Sequence, residues 1–163
     1  MGANLASWAG APEATMAVAA TRLESLGRVT RRSSLYSTEP VGFAEQPRFV
    51  NAVVALETEL EPQELLKGLL AIEQEFGRDR ISGFANGPRT LDLDILLFGA
   101  EQTAGPELVL PHPGVVERNF VLYPLADIAP DLEVPGKGRV RELLARVPAD
   151  GVWPLGEARP GEG

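Results

Sequence analysis

The chain has 163 residues, no cysteine, and 23 acidic against 15 basic side chains, for a formal charge of −8. That length suits one domain with a sizeable core. The missing thiols exclude disulfides and thiolate metal sites and fit a reducing cytoplasm, while the acidic balance argues against a DNA or RNA partner. No apolar run is long enough to cross a bilayer and no signal-peptide pattern is seen, so a soluble protein without a membrane partner is expected. A small anion is not excluded, because a local Arg cluster with metal ions can reverse the potential inside a cleft.

Taken in chain order, Pro12 and Glu13 suit a first helical turn, and Met16, Ala19 or Ala20, Leu23 and Leu26 recur at helical spacing. This predicts a core-facing helix over 12–26, with Gly27 as its C-terminal cap. Residues 29–37 read as a strand with mixed faces, and Thr38-Glu39-Pro40-Val41-Gly42 opens a loop to Pro47, long enough to cover a site. The next strand is expected over 49–58, with Phe49, Asn51, Val53 and Ala55 on one face and Val50, Ala52, Val54 and Leu56 on the other. A ring and a carboxamide two residues apart on one face can hold a planar heterocycle by stacking and paired hydrogen bonds. Core packing beside a capping Asn is the plainer alternative.

Pro62 opens a second helix running to about Phe76 and closed by Gly77, with Leu65, Leu66, Leu69, Leu70, Ile72 and Phe76 as its apolar stripe. Glu73 lies within or beside that stripe. Arg78 and Arg80 follow at once, and either complement the helix dipole or clamp phosphate. Residues 79–87 read as an irregular, mobile loop.

The most informative stretch is Gly87-Pro88-Arg89-Thr90-Leu91-Asp92-Leu93-Asp94-Ile95-Leu96, which continues through Leu97 and Phe98 to Gly99. Its branched and large apolar residues predict a central, buried strand. Asp92 and Asp94 share one face, roughly 7 Å apart by the rise per residue, while Leu91, Leu93 and Ile95 share the other. Buried carboxylates need a cation, a metal or many donors. Hard oxygen ligands on a rigid element suit Mg²⁺ held jointly with substrate phosphates, and Arg89 is a guanidinium suited to phosphate oxygens. An Asp pair neutralised by neighbouring Arg residues is the alternative reading. His112, between Pro111 and Pro113, is the only histidine. Residues 139–147 read as a short helix, and 150–163 as a flexible Gly/Pro-rich tail to a single domain over 1–149.

The string from Gly87 to Leu96 closely resembles the signature of the 6-hydroxymethyl-7,8-dihydropterin pyrophosphokinase family. Gly2-Ala3-Asn4-Leu5, Leu108-Val109-Leu110-Pro111-His112-Pro113 and Glu117-Arg118-Asn119-Phe120-Val121-Leu122 match further family segments in order, so that the resemblance covers roughly residues 2–135. It implies an α+β, ferredoxin-like antiparallel sheet with helices packed on it. In the family an apolar strand in the sheet centre precedes the Gly2 turn, and only Met1 stands there here. The expectation is therefore that this first central strand is missing and that the native protein carries about six more residues, a typical strand length. The implied reaction moves pyrophosphate from ATP, the co-substrate, to the pterin in folate biosynthesis. By the same resemblance, two Mg²⁺ ions sit on Asp92 and Asp94, and Arg78 and Arg89 are catalytic with them. Thr38, Val41, Phe49, Asn51 and Phe120 fall at the pterin pocket. Glu73, Arg78, Arg80, Arg89, Ile95, His112 and Arg118 fall on the ATP side. The chain departs from the family at Ala85 and Asn86, where a basic residue and Trp are common, and at Phe49, where Tyr is. A monomer in the cytoplasm acting on small molecules is expected. The competing readings are a phosphohydrolase using the same Asp pair with His112 as base, and a binding module without turnover.

Overall fold

The computed structural model describes residues 1–40, 45–77 and 89–155. Four helices and ten short strands are found among them, and every strand pair is antiparallel. The arrangement is α+β.

The first helix, α1, spans Pro12–Leu23, with Pro and Glu13 in its first turn and Arg22 in its last. It buries Met16, Ala19, Ala20 and Leu23. It ends short of the expected Leu26, because Ser25 and Leu26 donate to the carbonyls of Arg22 and Leu23 in tight turns. Gly27 is consequently no cap. A Cβ there would lie 2.3 Å from the Glu57 carbonyl oxygen, so the glycine lets two chain segments touch. The second helix, α2, spans Pro62–Glu75 and begins with a capping box in which Glu61 and Glu64 bond each other's backbone. Its stripe of Leu65, Leu69, Ile72 and Phe76 is buried, and Gly77 follows at φ +85°.

The expected strand over 29–37 is two strands, β2 (Arg28–Arg32) and β3 (Tyr36–Thr38). Likewise 49–58 divides into β4 (Phe49–Asn51) and β5 (Val54–Glu57). The breaks coincide: Ser33 N donates to the Val53 carbonyl, and Val53 N donates to Ser33 Oγ, each at 2.9 Å. One long hairpin thus bends at Ser33 and Val53, with β2 on β5 and β3 on β4. The strand β1, Gly2–Ala3, borders β4, and the expected tail contributes β10, Val152–Pro154, so the sheet runs β1-β4-β3-β10. The tail is ordered here because the Gly151 carbonyl accepts from Glu39 N and Arg48 Nη2, and Leu155 N donates to the Leu35 carbonyl. Two small ladders, β6 (Thr103–Ala104) on β7 (Val109–Leu110) and β8 (Glu133–Val134) on β9 (Gly138–Arg139), follow in the second half.

The stretch from Leu91 to Phe98 alternates as expected but is not the paired central strand that its apolar run predicts. Among the described residues its one strand-like pairing is Gly2 with Asp92, through N–H···O bonds of 2.9 and 2.7 Å. Beyond Asp92 the free edge of β5 and residues 93–98 lie on opposite sides of a groove. Leu65 and Leu69 line it on one side, and Leu125 and Ile128 on the other. The groove continues the line of β1, whose Met1 ammonium donates to the Ala52 carbonyl at its mouth.

The helix α3 spans Asn119–Ile128 and α4 spans Val140–Leu144, shorter than the expected 139–147. Two apolar clusters result. One joins α1 and α2 to Ala3, Val50, Leu91 and Leu93 beneath the sheet, and the other joins α3 and α4 with Val115 and Val134 above it. The sheet is therefore a middle layer whose alternation decides which side chains reach which face.

Replacing Gly27 by Ala is expected to cost about 1–3 kcal/mol, the usual price of overpacking, because the carbonyl it meets is backbone and cannot swing away. Gly99→Ala, with nothing within 4 Å of the new methyl, should cost less, about 1 kcal/mol for its positive φ. Urea denaturation of both variants checks the order.

Candidate active site

Alternation along β4 sends Val50 into the lower core and leaves Phe49 and Asn51 half-buried on the upper face. Thr38 stands opposite Phe49 in the β3–β4 register and is 1 % exposed. Asn51 Nδ2 donates to Thr38 Oγ1 at 2.6 Å, which fixes the carboxamide plane. Gly2 lies directly beneath, where a Cβ would come within 2.5 Å of Asn51 Oδ1. Only a glycine lets β1 pass under this carboxamide.

The same alternation in the Leu91–Ile95 stretch buries Leu91, Leu93 and Ile95 below and turns Asp92 and Asp94 upward. Arg89 Nη1 donates to Asp92 Oδ2 at 3.0 Å. Arg89 Nε and Thr90 Oγ1 are buried with no hydrogen-bond partner among the described residues. Glu73 is 1 % exposed, and its Oε2 accepts from Leu93 N at 2.7 Å. It braces the peptide link between the two aspartates from below, and Ile95 likewise presents its side chain to the core.

His112 is tied in by its backbone N, which donates to the Leu96 carbonyl at 2.8 Å. Its Nδ1 accepts from Gly114 N at 3.0 Å, so in the neutral ring Nε2 carries the hydrogen and is free to donate. The Arg118 guanidinium lies 5.7 Å from the Phe120 ring centroid, within cation–π range. Gly114 makes room for it, since a Cβ there would lie 2.6 Å from Arg118 Nε.

One solvent-open pocket brings most of these groups together. Thr38, Phe49 and Asn51 form its first wall, Arg89, Asp92 and Asp94 its floor, and His112, Arg118 and Phe120 its second wall. Val41, Arg78 and Arg80, expected at the site from sequence, lie outside the described residues, as does the loop expected over 79–87. Glu39, Val53 and Val121 also line the pocket. Alternation from Asn51 could have flagged Val53, and adjacency to Phe120 could have flagged Val121. Nothing in the sequence signals Arg48, which is not itself a lining residue but pairs with one, Glu39, at 3.5 Å. Its Nε donates to Ser37 Oγ at 2.9 Å and its Nη2 to the carbonyls of Ser37 and Gly151, while the guanidinium stacks 4.5 Å from the Trp153 ring centroid.

The floor is strongly anionic. The buried Met1 ammonium feels it: burial lowers its pKa below the ordinary 8.0, while Asp94, then Asp92 and Glu73, pull it back up. No group of three His, Cys, Asp or Glu able to hold a metal occurs among the described residues. Among the described residues, Asp92, Asp94 and Glu39 bring carboxylates to the pocket lining, and the two aspartates stand together on its floor. Two carboxylates with the remaining positions left to phosphate oxygens and water is the donor set that Mg²⁺ accepts, so the residues present fit that ion.

Fold and pocket define a small-molecule site in an α+β domain, with an aromatic–carboxamide wall set beside a carboxylate pair. The chain belongs to the 7,8-dihydro-6-hydroxymethylpterin-pyrophosphokinase family, whose model matches residues 1–130. It is 48 % identical over 154 residues to a 2-amino-4-hydroxy-6-hydroxymethyldihydropteridine pyrophosphokinase of Pseudomonas aeruginosa, covering 93 % of this chain and 91 % of that protein. A protein of the same name from Bacillus subtilis is 46 % identical over 117 residues, or 72 % of this chain and 69 % of its own. A folate synthesis bifunctional protein of Arabidopsis thaliana is 50 % identical over 100 residues, 61 % of this chain but 20 % of that longer protein.

Arg48→Met should loosen β10, costing about 2 kcal/mol, since hydrogen bonds from a charged donor are worth about 1.5–3 kcal/mol each. Guanidinium denaturation followed by Trp fluorescence checks both the loss and a change around Trp153.

Proposed function

We propose that the chain transfers the β,γ-pyrophosphoryl group of ATP to the 6-hydroxymethyl oxygen of 6-hydroxymethyl-7,8-dihydropterin, a step of folate biosynthesis. The observation that carries this reading is the sharing of one pocket by Phe49, Asn51 and Phe120 with Asp92 and Asp94. Family membership points to the same reaction.

In this reading Phe49 and Phe120 take the two faces of the pterin ring, and Asn51, held by Thr38, reads its hydrogen-bonding edge. Phosphoryl chemistry of this kind demands positioning and charge neutralisation more than covalent help. The hydroxymethyl oxygen forms a bond to the β-phosphorus as the bond from that phosphorus to the α,β-bridging oxygen breaks, and AMP departs. Arg89 is placed beside Asp92 to meet negative charge on the transferring group, and His112 Nε2–H and Arg118 offer donors to the nucleotide from the opposite wall. Asp92 and Asp94 would hold Mg²⁺, two ions by the family pattern, which supplies charge neutralisation to the phosphates and acidifies the attacking hydroxyl. Either carboxylate can take the hydroxyl proton. Arg78 and Arg80 complete the nucleotide side, Val41 the pterin side, and Glu73 and Ile95 serve from beneath. The active form is a cytoplasmic monomer whose single domain, expected over residues 1–149, also takes in β10 at Val152–Pro154, and no described helix is long and apolar enough to cross a membrane.

The ferredoxin-like arrangement is part of the proposal. The apolar lining of the groove between β5 and residues 93–98 supports one more central strand there. With Gly2 opposite both Asn51 and Asp92, the next positions of that line fall opposite Val53 to Glu57 on one side and Asp94 to Phe98 on the other. A chain lengthened at Met1 by about five alternating apolar residues should melt several degrees higher and protect those two edges from hydrogen exchange. An unchanged melting point and exchange pattern would count against it.

Phosphorus NMR of the protein with ATP, Mg²⁺ and the dihydropterin tests the activity. AMP and a pterin diphosphate are expected. Inorganic phosphate instead would mark a hydrolase. Chelation of the metal should abolish turnover, and Asp92→Asn or Asp94→Asn should each lower kcat by about 10²-fold or more, as losing one preorganised charge-stabilising group does.

A further inference from the structure

A buried phenol ties the last turn of α3 to the sheet. Tyr36 is 6 % exposed and stands opposite Asn51 in the β3–β4 register, two residues before Thr38. Strand alternation therefore places it on the upper face, with Thr38, Phe49 and Asn51. Its Oη donates to the Asp127 carboxylate, with Oδ1 at 2.9 Å and Oδ2 at 2.8 Å. Ser34 N donates to the same Oδ2 at 3.3 Å, and Arg31 Nη1 donates to the Ile128 carbonyl at 2.8 Å. These bonds reach the end of α3 from β2, from β3 and from the bend between them. Asp127 follows Phe120 by about two helical turns, so the two residues share a face of α3. Phe49 rises from the sheet, Phe120 comes from α3, and both line the pocket. The gap between the aromatic walls is therefore set by how α3 sits on the sheet.

We infer that Tyr36 and Asp127 are a positioning pair that sets the spacing of the two aromatic walls, and through it the affinity for the pterin ring. The inference rests on the proposed reaction. A ring stacked between two others needs contact on both faces, and a gap wider by about 0.5–1 Å forfeits roughly a quarter to a half of the attraction between facing atoms. The chemistry of the pair suits the task. A hydroxyl donating to a carboxylate makes a short bond, about twice as strong as one between neutral groups. The phenol carries that bond on a stiff ring whose base is fixed in β3. Neither side chain lines the pocket, so the pair acts through Phe120. The aspartates and His112 belong to other segments, tied to each other where His112 N donates to the Leu96 carbonyl, and do not depend on this contact.

The test titrates dihydropterin by fluorescence in the presence of saturating Mg²⁺ and the non-hydrolysable analogue α,β-methylene-ATP, and titrates that analogue separately. Tyr36→Phe removes one oxygen and keeps the ring. It should weaken dihydropterin binding on the order of tenfold, the scale of one hydrogen bond to a charged group, and leave nucleotide binding unchanged. Asp127→Ala should do the same, and the double variant should be no weaker than either single one, as for two groups joined in one bond. Asp127→Asn, whose amide oxygen still accepts from the phenol, should recover most of the affinity. Gly27→Ala, destabilised away from α3, should bind dihydropterin as the unaltered chain does. Losses that add in the double variant overturn the proposal. So does an equal loss for both ligands, or a lower melting point of Tyr36→Phe with dihydropterin affinity intact. An unaltered chain that binds no dihydropterin overturns the proposed function itself, and the spacing role with it.

Discussion

The site depends on one pair of hydrogen bonds. Gly2 and Asp92 exchange N–H···O bonds of 2.9 and 2.7 Å, and Gly2 is at the same time the register partner of Asn51. A two-residue strand thus joins two stretches that are otherwise far apart in sequence. It sets their pleats in phase, so that Phe49 and Asn51 come up on the same face as Asp92 and Asp94. Because strand side chains alternate, a slip of one residue on either side would send one half of the pocket into the core. The absence of a side chain at Gly2 is part of the same constraint, since the strand passes within contact of the Asn51 carboxamide. Phase and clearance are the two things the pocket needs, and Gly2 supplies both.

Around that link buried polar groups hold the site in place. Glu73 accepts from the peptide between the aspartates, Asn4 grips Arg89, and Thr38 holds Asn51. Each is a buried polar group with its hydrogen bonds satisfied, the condition under which such groups rigidify a site instead of weakening it. The β3–β10 edge of the sheet is held differently, by Arg48, whose guanidinium gathers β3, β10 and the start of β4.

What could be read from sequence follows from the range of the forces involved. Helices were legible because their signals are local: Pro and Glu at the start, an apolar stripe, a glycine after the end. The aspartate pair was legible because alternation is local too, and its lower partners Leu91, Leu93 and Ile95 are buried as the pattern requires. Whether that stretch pairs with anything was not, since pairing depends on what lies beside it. Its apolar run reads as a central strand, yet beyond Asp92 it borders a groove. The bend at Ser33 and Val53 was hidden for the same reason, being fixed by bonds twenty residues apart in the chain. The tail looked too polar to order, and Val152–Pro154 is ordered by a cation and carbonyls elsewhere, which no composition reveals. Motif resemblance named Thr38, Phe49, Asn51, His112, Arg118 and Phe120, which share one pocket lining, and did not name Glu39, which lines it too.

Charge then limits how the pocket can work. The chain is acidic, and the ionisable side chains that line the pocket are Glu39, Asp92 and Asp94 against Arg89 and Arg118, with His112 beside them. Arg89 is already committed to Asp92. Judged by these residues alone, a bare polyphosphate would meet net repulsion at short range, where a pair of like charges costs most. Cations carried with the phosphate change the sign of that encounter, because the same two carboxylates become ligands. On the proposed function the aspartates would therefore act as a filter as well as a floor, disfavouring the free anion and favouring its metal complex. A pocket lined mainly with lysines and arginines would bind either form. In the proposed reaction the acidic pair would make nucleotide binding conditional on the metal that the transfer needs, and would hold that metal in the pocket that Phe49 and Asn51 also line.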